Sequence, residues 1–441
     1  MNPVTAIKVS IWGHQVGALA LDPETNYYAF EYYPEFRNSG IELSPLLLPA
    51  HTEYPTVAVN LPPETYHRLP AFIADSLPDD FGNNLINAWM LIQGQQISAV
   101  SPLDRLAYIG KRAMGALEFE PALRSEQQST AFEVGELTHA AKQAVRAHFA
   151  TASKEDRALA SNEALQQLIS VGTSAGGARP KAVVGFDESS ETFVPGQFDL
   201  PANYEHWLIK FDTSGIDDVN NTGSAKKNEY GRIEYAYYLM ALDCGIAMAE
   251  SRIFEEDVRA HFMTRRFDRG PQGEKYHTQT LCAMAGLDYK QVNTHDYVQL
   301  FQTAKDIGLN EVAVDELFRR MVFNIVMSNY DDHSKNFSFR LRKNSSWELA
   351  PAYDLTHSYA SQSHWVSRHQ LGIGGKFDHI TAKDLMAVGR RFGVLSPKDS
   401  IEKIVSTAAQ WSNYAKAVDI SASETKRVKV DIDRAVAHLS L

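Results

Sequence analysis

Between the apolar helical pattern of Glu316 to Val326 and an expected strand lies the segment Ser328-Asn329-Tyr330-Asp331-Asp332-His333-Ser334-Lys335-Asn336-Phe337. Asp331 and Asn336 stand five apart. That spacing lets one short loop offer an acid that orients or accepts a hydroxyl proton and an amide that holds a divalent cation. Lys335 adds a cation able to offset charge on a transferring phosphoryl group. D-x-x-x-x-N is a weak signal alone. Taken in isolation, Asp331-Asp332-His333 also suits a helix C-terminal turn with Asx-type capping, or part of a metal-hydrolase site. No second His/Asp cluster of ligand spacing lies nearby in the sequence.

The order of the surrounding elements adds specificity that no single element has. Ala350-Pro351-Ala352-Tyr353-Asp354-Leu355 brings an apolar approach to one acid, Asp354, 18 residues after Asn336, where a kinase carries its second metal-binding Asp. Upstream, a Gly-rich stretch, Val171 to Lys181, leads from a helical pattern into the apolar strand Ala182-Val183-Val184-Gly185. Lys210 ends the alternating strand His206 to Phe211, and Glu234 follows 24 residues later near the start of a helix over Arg232 to Cys244. This is the order of a strand lysine on phosphates held by a helix glutamate. Each element also has an ordinary explanation: Gly176-Gly177 as turn glycines, Lys210 as a solvated strand end, Glu234 as a helix-surface charge. The ordered set predicts a two-lobed phosphotransferase.

The 441 residues carry 43 basic and 54 acidic side chains, net −11, with 44% hydrophobic. Two or three units with substantial cores are expected. The acidic balance argues against a stand-alone nucleic-acid binder. Two cysteines, Cys244 and Cys282, are too few for a disulfide framework or a Cys-based zinc site, so a reducing cytoplasm is expected. No secretory signal or apolar run long enough to span a membrane is evident. The predicted class is α+β, with boundaries at 1–122, 134–268 and 269–441. Strands are expected at Ile7–Trp12, Tyr27–Tyr33 and Thr56–Val59, and helix over Phe72–Gln93 broken at Leu77-Pro78-Asp79. In the helix Arg232–Cys244, Tyr235, Tyr238, Leu239 and Leu242 share a face expected to be the packed one.

With these residues in view, the chain resembles the HipA family of bacterial toxin serine/threonine kinases over nearly its full length. Phe72 to Asp79 and Ile109-Gly110 to Gly115-Ala116-Leu117 look like the family's N-terminal region. Ser174 to Lys181, Arg265-Arg266-Phe267-Asp268-Arg269, Asp331-x-His333-x-Lys335-Asn336 and Ala352-Tyr353-Asp354-Leu355 match its kinase motifs. The resemblance implies a two-lobed protein-kinase-like fold with an N-terminal β-rich subdomain and a mainly helical C-terminal lobe. It also implies ATP and Mg2+ as cosubstrates, toxin activity, and a HipB-like helix-turn-helix antitoxin as partner, with operator DNA reached only through that complex.

By position, Asp331 would be the catalytic acid/base with Lys335 beside it, and Asn336 and Asp354 the metal ligands. Lys210 would meet the phosphates with Glu234 as its partner. Ser174, Ala175, Gly176, Gly177, Ala178, Arg179 and Lys181 would form the phosphate loop. The backbone of Arg265, Arg266 and Phe267 would meet adenine, Asp268 the ribose, and His333 and Tyr353 would lie on the nucleotide side. Ser174 aligns with the serine that family members autophosphorylate, which implies self-inactivation. The best-known relatives phosphorylate an aminoacyl-tRNA synthetase, notably the glutamyl enzyme, with growth arrest or drug tolerance as the result. Two departures stand out: Arg179-Pro180 replaces a Gln-Glu pair in the loop, and Asp332 replaces a Gly. A non-catalytic co-repressor module and a small-molecule kinase remain alternatives. Lys376, Lys383, Arg390 and Arg391 are candidates for a basic patch near DNA or, more simply, for cations on solvated helices.

Overall fold

In a computed structural model of the chain, residues 3–78, 80–123, 132–147, 165, 168–169, 179–197, 199–213 and 229–439 are described. The chain divides into two compact units. One comprises Met1–Ser44, Leu48–Asn228 and Arg252–Thr278, the other Pro45–Leu47, Glu229–Ser251 and Gln279–Leu441. Residues 1–122 and most of 134–268 thus share one unit, while the helix Tyr230–Asp243 belongs to the other.

Among the described residues the first unit holds two antiparallel sheets. Ala6–Ile11 (β1), His14–Asp22 (β2), Tyr27–Tyr32 (β3) and Leu117–Glu120 (β4) run in the order β3-β2-β1-β4. β1 alternates as a half-buried strand must, with Ile7, Val9 and Ile11 inside. Gly17 is demanded by the close approach of β3, since a Cβ there would stand 2.2 Å from the Glu31 carbonyl oxygen. Thr56–Val59 is not a strand as expected. Thr56 makes one isolated bridge to Phe30, and Pro55 before it with Pro62-Pro63 after it supplies no N–H to extend a ladder. The break at Leu77-Pro78 separates the helices Ala71–Ala74 and Asp80–Ile92.

Lys181–Asp187 (β5), Thr192–Pro195 (β6), Glu205–Lys210 (β7), Ser251–Glu256 (β8) and Arg259–Arg265 (β9) form the second sheet, in the order β6-β5-β7-β9-β8. β5 is buried along its whole length, and Phe254 packs edge to face on both Phe186 and Phe193, which are tilted against each other. The register sets Lys181 directly opposite Lys210.

In the second unit the helix Glu311–Val326 starts at Asn310, whose side chain accepts from the Ala313 N–H at 3.0 Å. It buries Leu317, Phe318, Met321, Val322, Ile325 and Val326. Each such side chain contributes about 1.5–3 kcal/mol relative to exposure. The helix Tyr230–Asp243 packs the face opposite to the one expected. Ile233, Glu234, Ala236, Tyr237, Met240 and Ala241 are inside, whereas Tyr235, Tyr238 and Leu239 are half-buried and Leu242 is exposed. The helix is apolar almost all round, and Tyr237 decides the choice. Its ring packs against Phe323 and Trp411, and its hydroxyl donates to the Met327 carbonyl at 2.6 Å. Among the described residues no helix is long and apolar enough to cross a membrane.

Candidate active site

The helix Glu311–Val326 delivers the chain to a loop fixed by side-chain amides. Asn324 donates to the Tyr297 hydroxyl at 3.1 Å and accepts from Asn329 Nδ2 at 2.9 Å. Asn329 Nδ2 also donates to the Asp354 carbonyl at 3.3 Å. Ser328, at φ +54°, turns the chain out of the helix, and Tyr330 N–H then bonds the Ser358 carbonyl. The loop that opens with Asp331 is therefore laced at its root to the segment that carries Asp354.

Of the two adjacent acids, exposure separates the roles. Asp332 is completely buried and accepts from the Tyr297 hydroxyl at 2.7 Å, the Gln370 N–H at 2.7 Å and His369 Nδ1 at 2.9 Å. Burial, and then the Asp332 charge, hold the Tyr297 phenol well above its usual pKa. The Asp331 side chain is 38% exposed. It accepts from Trp365 Nε1 at 2.6 Å and lies 3.6 Å from His333 Nε2. Asn336 Nδ2 donates to the Asp331 carbonyl at 2.7 Å, which leaves its Oδ1 as the available ligand atom. Lys335 Nζ sits 4.9 Å from the centre of the Tyr289 ring. The Tyr353 hydroxyl donates to the Lys335 carbonyl at 2.6 Å, so Tyr353-Asp354 and Lys335-Asn336 are brought side by side. Asp354 itself is held at φ +53°, a left-handed conformation that costs a non-glycine residue about 1–2 kcal/mol. An amide oxygen and a carboxylate are hard donors that fit Mg2+.

The first unit carries Arg179, Lys181, Lys210 and the stretch Arg265 to Asp268. Lys181 opens β5, almost fully buried, on the same sheet face as Lys210, whose Nζ lies 5.7 Å from the centre of the Phe262 ring. Arg179 is exposed, while Ser174, Ala175, Gly176, Gly177 and Ala178 lie outside the described residues. Glu234 is buried in the second unit. Arg266 N–H is committed to the His206 carbonyl at 2.9 Å and Arg265 is paired with Glu205. Beside them is a cavity of about 560 Å³ lined by His206, Arg265, Arg266, Arg269 and the turn from Gly270.

Asp268 corrects an expectation, because its carboxylate presents no oxygen to a ribose. It is fully buried, grips Arg266 through two bonds of 2.7 and 2.8 Å and Arg269 at 2.8 Å, and accepts the Gly115 N–H at 2.7 Å. Burial alone would raise its pKa, but the two guanidiniums and the Gly115 N–H hold it far below the carboxylate range. Gly115 lies at φ +79°, with a Cβ position 3.0 Å from Thr278 N. The same arginines act on a neighbour: burial first, then Arg266 and Arg269, bring His206 down to about 4. In the second unit Lys376 is clasped by Asp384, while Lys383, Arg390 and Arg391 are exposed on the helix Ala382–Phe392.

Trp365, His369, Gln370 and Tyr297 escaped the sequence reading. Trp365 is 34 residues from Asp331 and His369 37 from Asp332, and no local spacing marks them.

Comparison with known proteins matches the HipA N-terminal domain over residues 7–120 and the HipA-like C-terminal domain over 173–416. The solved HipA of Shewanella oneidensis MR-1, in complex with HipB and operator DNA, superposes over 98% of this chain and 96% of its own, with TM-score 0.67 and 18% identity. The Helicobacter pylori proinflammatory kinase CtkA gives TM-score 0.36 and 14% identity over 53% of this chain and 88% of its own. A putative kinase of Haemophilus influenzae is 36% identical over 102 residues, 21% of this chain and 30% of the relative, so the match spans under a third of that protein. The fold is the α+β, kinase-like fold of HipA. With two domain models covering most of its length, the chain belongs to the HipA family.

Proposed function

We propose that the chain is an ATP- and Mg2+-dependent protein serine/threonine kinase, the toxin of a toxin–antitoxin pair in the cytoplasm. The observation that carries this is the contrast within one loop: Asp332 is buried and fully engaged, while Asp331 is half-open and Asn336 is turned to free its Oδ1. In this account Asp331 accepts the hydrogen bond of an incoming serine hydroxyl and takes its proton as the γ-phosphoryl group moves. Asn336 Oδ1 and Asp354 hold the Mg2+, which when bound neutralises phosphate charge. Lys335 and Lys210 offset the rest, with Glu234 holding Lys210. Lys181 and the segment from Ser174 to Arg179 cradle the phosphates, and the Arg265–Phe267 stretch meets the adenine.

The substrate class is a serine of a translation protein, an aminoacyl-tRNA synthetase such as the glutamyl enzyme. The HipA of S. oneidensis is solved with HipB and operator DNA. This supports a HipB-like antitoxin as partner here, with DNA reached through that complex. Phosphate on Ser174 would add about −1.5 to −2 charge beside the triphosphate and silence the enzyme.

The test is to incubate wild type and Asp331→Ala with ATP and Mg2+ and to locate phosphate by peptide mass spectrometry, alone and with translation proteins. Phosphate on Ser174 and on a protein serine, in wild type only, is the expected result. Transfer to a metabolite alone, or ATP binding with no transfer by unphosphorylated wild type, would overturn it.

A further inference from the structure

Three ligating side chains converge in the second unit, away from the loop just described. Asp378 and His379 lie just ahead of the helix Ala382–Phe392, and His438 is in the last turn of the helix Ala422–Leu439. One ligand atom from each lies within 4.8 Å of the other two. The imidazoles of His379 and His438 are 4.4 Å apart centre to centre, and Asp378 Oδ2 is 3.6 Å from His379 Nε2. The backbone favours this convergence. His379 is held at φ +51°, and its N–H donates to Asp378 Oδ1 at 2.8 Å, which brings the carboxylate beside the ring. A zinc ion bound at about 2.0–2.1 Å sets tetrahedral ligand atoms about 3.3 Å apart. The separations here approach that spacing, and the side chains of Asp378 and His379 are exposed enough to rotate into it.

We propose that Asp378, His379 and His438 form a three-ligand site for a borderline divalent transition-metal ion, Zn2+ being the reference, with one position open. Two imidazoles and a carboxylate are the donors that such ions prefer, whereas Mg2+ takes oxygen alone. Both cysteines are buried elsewhere and supply no competing thiolate. The ion would tie the end of the C-terminal helix to the wall behind the catalytic loop. Ile325, Tyr330, His369 and Ile380 line the small cavity at the site, Tyr330 precedes Asp331, and His369 reaches Asp332. The site stands whether or not the chain is a kinase.

The experiment uses the full chain, stripped with a chelator, dialysed, and held in excess Mg2+ so that hard-oxygen positions are filled. It is titrated with Co2+ by visible absorption, then with Zn2+ against a chromophoric chelator. One equivalent should bind, with a nitrogen–oxygen Co2+ spectrum free of sulfur charge transfer. His379→Ala/His438→Ala should weaken binding by about 100-fold or more. Asp331→Asn should leave the affinity unchanged, which separates this site from the catalytic loop. Zn2+ should raise the unfolding midpoint of wild type and not that of the double variant. His379→Ala alone, at an exposed position, keeps the test valid should the double variant misfold, and is expected to weaken binding by about 10-fold. Equal binding by wild type and the His379→Ala variant, or wild-type binding weaker than about 0.1 mM, would overturn the proposal.

Discussion

Asp268 is a carboxylate ringed by donors, whereas Asp331, among the described residues, is held by a single close one. Asp268 in the first unit spends its oxygens on Arg266, Arg269 and the Gly115 N–H, with no surface left to water. Asp331 in the second unit has one close donor, Trp365 Nε1, and keeps 38% of its side chain open. A buried acid between two guanidiniums cannot exchange partners without leaving an uncompensated charge. A half-open acid oriented by one indole can. Donor count and burial together, rather than acidity in the sequence, divide the acid that is committed from the one left open to exchange partners. The adjacent pair Asp331-Asp332 repeats the lesson within one loop.

The strongest way to break this contrast is to neutralise the buried member. Asp268→Asn should cost about 3–5 kcal/mol of stability, measured by urea unfolding, while the folded fraction keeps its rate of phosphate transfer. A loss of rate with unchanged stability would place Asp268 in the reaction. A smaller effect comes from acid. His206 is held near 4 in the folded protein by burial, Arg266 and Arg269, against about 6.5 when unfolded. Between those values the unfolded chain binds the extra proton, so stability falls as pH drops from about 6.5 toward 4 and is unaffected above 7. The expected loss is about 1–3 kcal/mol, and His206→Gln should flatten this part of the curve. The smallest effect sharpens the other side: Trp365→Phe removes the indole N–H from Asp331 and should cost about 1 kcal/mol, a several-fold drop in rate, with the urea midpoint little changed.

Much of the fold was legible because its signals are local. The alternation of Ile7, Val9 and Ile11, the break at Leu77-Pro78 and the strand over His206 to Phe211 all fall where the structure has the corresponding elements. The helix Tyr230–Asp243 was misread because aromatic and aliphatic residues occupy both faces, and periodicity cannot choose when either face could be buried. The core choice is made by Phe323 and Trp411, far away in sequence. Thr56–Val59 has β-branched composition, but flanking prolines leave it one bridge. In the candidate site, the interval between Asp331 and Asn336 falls within one short loop, and so was visible. The partners that fix the carboxylates, Trp365, His369, Tyr297 and Gly115, arrive from distant segments, so the sequence could not show that Asp268 was already occupied.

The most direct measurement is the rate of phosphate transfer from Mg2+–ATP by Asp331→Asn, taken alongside its urea midpoint. The account predicts a rate lower by about 10³-fold or more, with stability within about 0.5 kcal/mol of wild type. A variant that transfers phosphate at the wild-type rate, or one that is inactive only because it has lost its fold, would contradict the assignment of Asp331 as the reacting acid.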